Sequence, residues 1–338
     1  MVRNIKIFAV LLAGVFVFAA CDSSSDSPST QIFSVLNTQT ATVYRDNSVT
    51  ISSMDASVTT DGKGGMTVST YVPVVSGGTI AWTKQNENFQ HEDLVNSYYD
   101  AYRFKREVSD TVTSGGTTID YTATNYLLVG GRRAGLKYGD FGYWSETVKA
   151  NVTGDTVEAN PNYSVTKRDW ATFLVYDPAM KPTNLPTDNE NDYTFSGRVL
   201  GGVDLYNSNG DFVETSAMSG DVTLNANFKD RTMSTDMSLT VGSDKWYDLN
   251  VSTTNGVQND GSFTNASGGT INITGDYDQN NKYAKPITGG YSSEFNGQFL
   301  GEDGKIPAEV IGQFNLLFNS LNEAGYRPEV YGVFGAKR

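Results

Sequence analysis

Tyr291-Ser-Ser-Glu-Phe295-Asn-Gly297-Gln-Phe299-Leu-Gly301, then Ala308-Glu309-Val310-Ile311-Gly312-Gln313-Phe314, then Val330-Tyr331-Gly332-Val333-Phe334-Gly335-Ala336-Lys337-Arg338: these blocks fill most of the stretch from Thr288 to Arg338 and decide the fold. In the first block Tyr291, Ser293, Phe295, Gly297 and Phe299 share one face, because successive strand side chains point to opposite sides. Glycine inside a strand marks a bulge, a bend or a close backbone approach. A strand ending at the chain terminus can pair with an earlier strand and close a barrel, which removes an exposed edge. One stretch is ambiguous. Val310, Ile311, Phe314, Leu317, Phe318 and Leu321 recur at helical spacing, with Pro307 before them and Gly325 after. On local pattern alone, Ala308 to Ala324 reads as a helix.

Upstream of these blocks the alternation is clean. Val222, Leu224, Ala226 and Phe228 face one way, with Thr223, Asn225 and Asn227 opposite. Lys229-Asp230-Arg231-Thr232 turns the chain, and Met233, Thr235, Met237, Leu239 and Val241 return. One face is buried and the other wet, as in an antiparallel meander. Further strands are expected at Tyr193–Tyr206, Trp246–Thr253, Asp260–Asp278 (broken at Gly268-Gly269), Thr288–Leu300, Gly312–Phe318 and Val330–Ala336. The total is about eight, the number at which a closed barrel just fits a side-chain core or one small ligand.

Asp177 to Asp192 holds Pro178, Pro182 and Pro186 among Asp, Asn and Glu, and marks the domain boundary. Residues 31–186 then form an N-terminal β-rich domain and residues 187–338 the barrel. In the first domain Val43–Thr50, Met66–Val75 and Gly78–Trp82 read as strands. Ser114-Gly115-Gly116 reads as a hairpin turn between Arg106–Thr113 and Thr117–Gly130. Asp93 to Lys105 is tyrosine-rich and fits either helix or strand. The 34 glycines, 9 prolines, 19 tyrosines and 17 phenylalanines fit an all-β chain with many turns.

Residues 1–20 read as a targeting segment. Arg3 and Lys6 precede an unbroken apolar run from Ile7 to Ala20, short for a membrane span. Phe18-Ala19-Ala20-Cys21 resembles a lipobox, the cleavage and acylation signal of bacterial lipoproteins. Cys21 is the only cysteine and stands where processing needs it. Processing would leave an acylated N-terminus on the bilayer, no intrachain disulfide, and two fewer positive charges than in the full chain of net charge -13. So acidic a protein is a poor match for nucleic acid or anionic lipid, so the lipid would provide the attachment. Residues 21–30, Cys-Asp-Ser-Ser-Ser-Asp-Ser-Pro-Ser-Thr, read as a flexible tether.

The terminal blocks follow the pattern F-x-G-x-F-x-G, A-E-x-x-G-x-F and G-x-F-x-A-K, and resemble the C-terminal barrel of transferrin-binding protein B and the Slam-dependent surface lipoproteins, haem carriers included. A second stretch, Leu136-Lys-Tyr138-Gly-Asp-Phe141-Gly-Tyr143-Trp144, is similar to the L-x-Y-x-x-F-G-x-W segment of that family's N-terminal "handle" domain. Tyr193-Thr-Phe195-Ser-Gly197 fits the Y-x-G strand that follows its proline-containing linker. The resemblance implies one handle-plus-barrel lobe. It also implies that Ala308-Glu309 is a single turn followed by a strand, since closing the barrel needs one there. It places the protein at the outer-membrane surface, exported by a Slam-type machinery and working with a TonB-dependent receptor. Asp22, directly after the cysteine, would favour inner-membrane retention under the enteric sorting rule.

Catalytic options are few. His91 is the only histidine, so a histidine-based triad or a haem-iron ligand would have to use it. Its context, Asn86-Glu-Asn-Phe-Gln-His91-Glu-Asp, is polar and loop-like; Tyr98, Tyr99 and Tyr102 nearby would stack, ligate or simply pack. There is no G-x-S-x-G, P-loop or G-x-G-x-x-G. Asp276-Tyr-Asp278-Gln-Asn280 begins like a calcium loop but has Asn281 where glycine belongs and Ile287 where glutamate belongs. The expectation is a binding protein, not an enzyme, with no cofactor beyond haem as a possible ligand. Its partner would be a transferrin-, haemoglobin- or haem-type host ligand. The alternative is a structural or adhesive envelope lipoprotein.

Overall fold

The computed structural model describes residues 31–35, 42–44, 48–50, 58–60, 66–76, 79–89, 94–98, 101–154, 162–187, 191–241, 244–253, 256–264, 270–274 and 291–338. Cys21, the tether and His91 lie outside the described residues, as does the segment that starts like a calcium loop.

The N-terminal half supplies β1 (Gln31–Val35), β2 (Thr42–Tyr44), β3 (Ser48–Thr50), β4 (Val58–Thr60), β5 (Met66–Ser76), β6 (Thr79–Phe89), β7 (Leu94–Tyr98), β8 (Ala101–Ser114), β9 (Thr117–Val129), the short helix α1 (Gly131–Ala134), β10 (Gly139–Gly154) and β11 (Asn162–Tyr176). The described residues of the tyrosine-rich stretch that fitted helix or strand are strand, in β7 and β8. A six-stranded antiparallel sheet runs β1-β11-β10-β9-β8-β7, beside a three-stranded sheet β4-β5-β6 and a hairpin β2-β3. Gly115 and Gly116 carry φ of 59° and 83°, giving the two-residue turn that joins β8 to β9. Positive φ at both central residues matches the twist of a hairpin, and only glycine adopts it without cost.

The two faces of the six-stranded sheet differ. Ile119, Tyr121, Ala123, Val148, Ala150 and Val152 pack with Val72 of β5 into one apolar layer. Further along that face, Trp144 Nε1 donates to Asn125 Oδ1 (3.2 Å) and Asn125 Nδ2 to Glu146 Oε1 (3.4 Å), which supplies partners for three buried polar groups. The other face carries Leu128, Phe141, Tyr143, Leu174 and Tyr176 at one end, where it meets the barrel. Its far end is hydroxyl-rich and wet.

The second half supplies β12 (Tyr193–Tyr206), β13 (Phe212–Asn227), β14 (Thr232–Val241), β15 (Asp244–Thr253), β16 (Ser262–Thr264), β17 (Thr270–Thr274), β18 (Tyr291–Leu300), β19 (Glu309–Phe318) and β20 (Arg327–Lys337). They form one antiparallel sheet ordered β16-β18-β19-β20-β12-β13-β14-β15-β17. The terminal strand β20 pairs with the first, β12, from Ser196↔Lys337 to Tyr206↔Arg327. β16 pairs with β18 and β17 with β15, and only residues 265–269 separate β16 from β17. Those few residues span about 20 Å at most. β16 and β17 therefore bring the two edges of the curled sheet close together. With β16 and β17 counted as one strand the sheet has eight strands.

The stretch with helical spacing is a strand. β19 is buried on both faces at its start: Val310, Gly312 and Phe314 point into the barrel, while Glu309, Ile311 and Gln313 point at the handle. A strand covered on both sides reads as a continuous apolar run, and overlapping apolar sets can mimic a helical period. Leu317 and Leu321, which completed the apparent helix stripe, are exposed (42% and 41%). The strand begins at Glu309, earlier than the sequence suggested.

The barrel interior is filled with rings. Phe195, Phe228, Phe295, Phe299, Phe314 and Phe334 are all buried, with Phe228–Phe299, Phe263–Phe299 and Phe295–Phe334 centroids 5.0, 5.4 and 5.4 Å apart. Burying one such side chain contributes about 1.5–3 kcal/mol. Glycine makes room for them. Register partners Gly312↔Phe334 and Phe314↔Gly332 place each ring over the glycine opposite on the neighbouring strand.

The segment between β11 and β12 is strapped to the barrel. Asp303 Oδ1 accepts from Thr183 N, Thr183 Oγ1 and Asn184 N (2.9, 2.9 and 2.7 Å), Gly301 N donates to Met180 O (2.7 Å), and Leu185 joins the barrel core.

Candidate functional site

The blocks that resembled a known family meet at the junction of the two sheets. β19 opens on Glu309, which is 4% exposed. Its carboxylate accepts hydrogen bonds from the backbone N–H groups of Lys137, Tyr138 (2.8 Å) and Gly139 (3.1 Å), on the loop leading into β10. Around this cap Leu136, Phe141, Tyr143, Leu174 and Tyr176 of the handle pack with Leu200, Leu300, Ile311, Tyr331 and Val333 of the barrel. Close approach is needed at two glycines here. A Cβ on Gly335 would lie 2.6 Å from Leu136 and Phe141, and one on Gly139 would lie 2.9 Å from Ile311 and Leu300.

A buried polar group sits beside this apolar contact. Asp204 is 1% exposed. The Tyr331 hydroxyl lies 3.4 Å from Asp204 Oδ1 and 3.3 Å from Thr215 Oγ1, and the Tyr331 ring stacks on Tyr143 at 6.2 Å. Burial first, and then the negative charge of Asp204, hold the Tyr143 and Tyr331 hydroxyls far above the ordinary phenol range. They stay protonated at any physiological pH and serve as donors. At the other end of β20, Arg327 Nη2 pairs with Glu329 Oε1 (3.1 Å) and Tyr206 donates to the same carboxylate. These groups hold elements together; none is arranged as a nucleophile with an adjacent base.

Burial raises the pKa of both Glu309 and Glu329, against the opposing pull of their hydrogen bonds and of Lys337 and Arg327. A carboxyl whose folded pKa lies above its unfolded one contributes stability that is complete below the unfolded value, about 4.3, and is lost as pH rises through the folded value. The shifts of Asp260 and Asp303 run the opposite way, and their contributions are lost only as pH falls below the ordinary Asp range. As pH falls from neutral toward the unfolded carboxyl value the urea midpoint should therefore rise, and Glu329→Gln should flatten that rise. A midpoint that falls toward pH 5, with the same slope in the variant, would contradict this assignment.

Neither sequence-predicted site residue, Cys21 or His91, lies among the described residues. Tyr98 falls on β7 and Tyr102 on β8, and Tyr99 is outside the described residues. Among the described residues no group of three or more His, Cys, Asp or Glu could hold a metal ion. Sequence reasoning missed Glu309 as a cap and Asp204 as a buried group. The available signal was a carboxylate in an otherwise apolar strand, at Glu309 before Val310-Ile311 and at Asp204 between Val203 and Leu205.

No family model matches the chain, and no curated protein matches it. Among solved structures, a double mutant of the vaccine antigen transferrin-binding protein B from Haemophilus parasuis Hp5 is similar over 86% of this chain and 46% of that one, at 16% identity and a TM-score of 0.35. A single mutant of the same antigen gives 81%, 51%, 14% and 0.33. A Nitrosomonas europaea structure assigned to AttH covers 96% of this chain and 99% of that one, at 8% identity and a TM-score of 0.21. The chain spans about half the length of the first two, and at these values the likeness carries no argument about function.

Proposed function

We propose that this chain is a lipid-anchored surface receptor that captures a host iron source or host factor, of transferrin, haemoglobin or haem type, without chemistry of its own. It would work with an outer-membrane TonB-dependent receptor after export by a Slam-type machinery. One observation supports this reading above the others. The two stretches whose patterns independently resembled surface receptors, Leu136–Trp144 and the terminal blocks, pack against each other as the handle–barrel junction. Residues that hold a two-part lobe together explain why such patterns recur while the ligand-contacting loops differ.

The reading requires an anchor at Cys21. In a membrane fractionation of the full chain, the wild type should pellet with membranes and Cys21→Ala should move to the soluble fraction. If the variant stays in the pellet at wild-type levels, the lipid-anchor part of the proposal fails.

A further inference from the structure

The barrel-facing side of the handle sheet continues past the junction into an open concavity of about 790 Å³. That lies within the range of small-ligand sites, roughly 300–1,000 Å³. The register of β8, β9 and β10 lays its floor in three rungs: Glu107–Thr124–Thr147, Ser109–Thr122–Lys149 and Thr111–Asp120–Asn151. Neighbouring strands stand about 4.8 Å apart and alternate residues on one strand about 6.7 Å apart, so donors and acceptors repeat on the scale of a sugar ring.

Cross-strand bonds hold several of these groups in place. Thr111 Oγ1 donates to Asp120 Oδ1 (2.6 Å), Ser109 and Thr122 hydroxyls lie 2.9 Å apart, and Thr124 Oγ1 donates to Glu107 Oε2 (3.4 Å). At the barrel end the row is closed by Lys105 paired with Glu107 (3.1 Å) and by Arg103 stacked over Tyr126 (4.4 Å). Lys149, in the central rung, is exposed and has no ion-pair partner among the described residues.

We infer that this concavity is a binding site for a neutral oligosaccharide, lying along the Ser109–Thr122–Lys149 rung. The argument is one of chemistry. The lining offers hydroxyls, an amide, the three carboxylates of Glu107, Asp110 and Asp120, and the ammonium of Lys149, which match the mixed donors and acceptors of sugar hydroxyls. Among the described residues its lining holds one aromatic residue, Tyr121, and no aliphatic side chain, a poor floor for lipid or haem. The carboxylates of Glu107 and Asp120 flank the single ammonium and disfavour anionic chains. Ordered side chains reduce the entropy cost of binding. The inference is independent of the proposed receptor function, which concerns a protein or haem ligand.

The test uses the full chain in a sugar-free detergent, titrated with maltotetraose, mannotetraose, chitotetraose and, as an anionic probe, a heparin tetrasaccharide. Saturation-transfer NMR detects contact and titration gives Kd. At least one neutral probe should bind, and Asp120→Asn with Thr122→Val should weaken it about tenfold or more, each lost hydrogen bond costing roughly three- to tenfold. Circular dichroism should show that the double variant keeps its strands; if it does not, Lys149→Met on the exposed rung replaces it, with a three- to tenfold loss expected. The inference is overturned if no neutral probe shows transfer, if binding survives the substitutions unchanged, or if the heparin probe binds most tightly.

Discussion

Replacing Gly332 with valine is expected to destabilise the fold by about 3 kcal/mol, the upper part of the usual range for overpacking a core. Gly332 lies on β20 opposite Phe314 of β19, and any Cβ there would enter the space held by the Phe314 ring, with Met218 behind it at 3.2 Å. Phe314 is fully buried in the barrel core, and close-packed cores leave a displaced ring little volume to enter. Its displacement would disturb Phe334 and the strand pairing that joins the two ends of the barrel domain. Urea unfolding checks the magnitude. Phe314→Leu in the same chain should recover part of the loss, because the two sites share one volume and their effects cannot add. If Gly332→Val alone unfolds at the wild-type urea concentration, the account of ring over glycine is wrong.

Glu309→Ala should have an effect of similar size by a different route. It removes the acceptor from three part-buried N–H groups, those of Lys137, Tyr138 and Gly139, and each lost bond costs about 1 kcal/mol. The substitution acts on the junction, so the expected signature is two unfolding transitions in place of one, with the handle and barrel parting first. Glu309→Gln keeps an acceptor oxygen in place and should lose much less. Limited proteolysis should cut Glu309→Ala first in the segment between β11 and β12. A single transition at the wild-type midpoint would show that the apolar contacts of Leu136, Phe141, Ile311 and Tyr331 hold the junction unaided.

The barrel was legible in the sequence because most of its strands have one dry face. From Val222 to Val241 the buried set, Val222, Leu224, Ala226, Met233, Met237, Leu239 and Val241, is the alternating set read from the letters. The terminal blocks were legible for a related reason: a glycine opposite a phenylalanine leaves its mark on both strands. β19 was ambiguous because the handle covers its outer side, so the period of two is lost where the second layer sits. The junction itself was hidden by sequence distance. Glu309 meets the Lys137 backbone across 172 positions, and Tyr331 meets Asp204 across 127. No local pattern reports such pairs. The polar concavity was hidden differently: threonines on an exposed strand face look the same whether or not anything binds them. His91, the one candidate the chemistry singled out, lies outside the described residues, so its role rests on sequence alone.

The proposed function is tested most directly by capture. The full chain, immobilised in a sugar-free detergent, is exposed to transferrin, haemoglobin and haemin, and bound ligand is quantified alongside His91→Ala. The account predicts saturable, near-equimolar binding of one of the three. A haem ligand held by His91 would show a Soret band altered in the variant, and a protein ligand would bind both forms alike through shared loop contacts. Absence of saturable binding to any of the three, by a protein that unfolds cooperatively and is therefore intact, would contradict the receptor reading and favour an adhesive or structural role in the envelope.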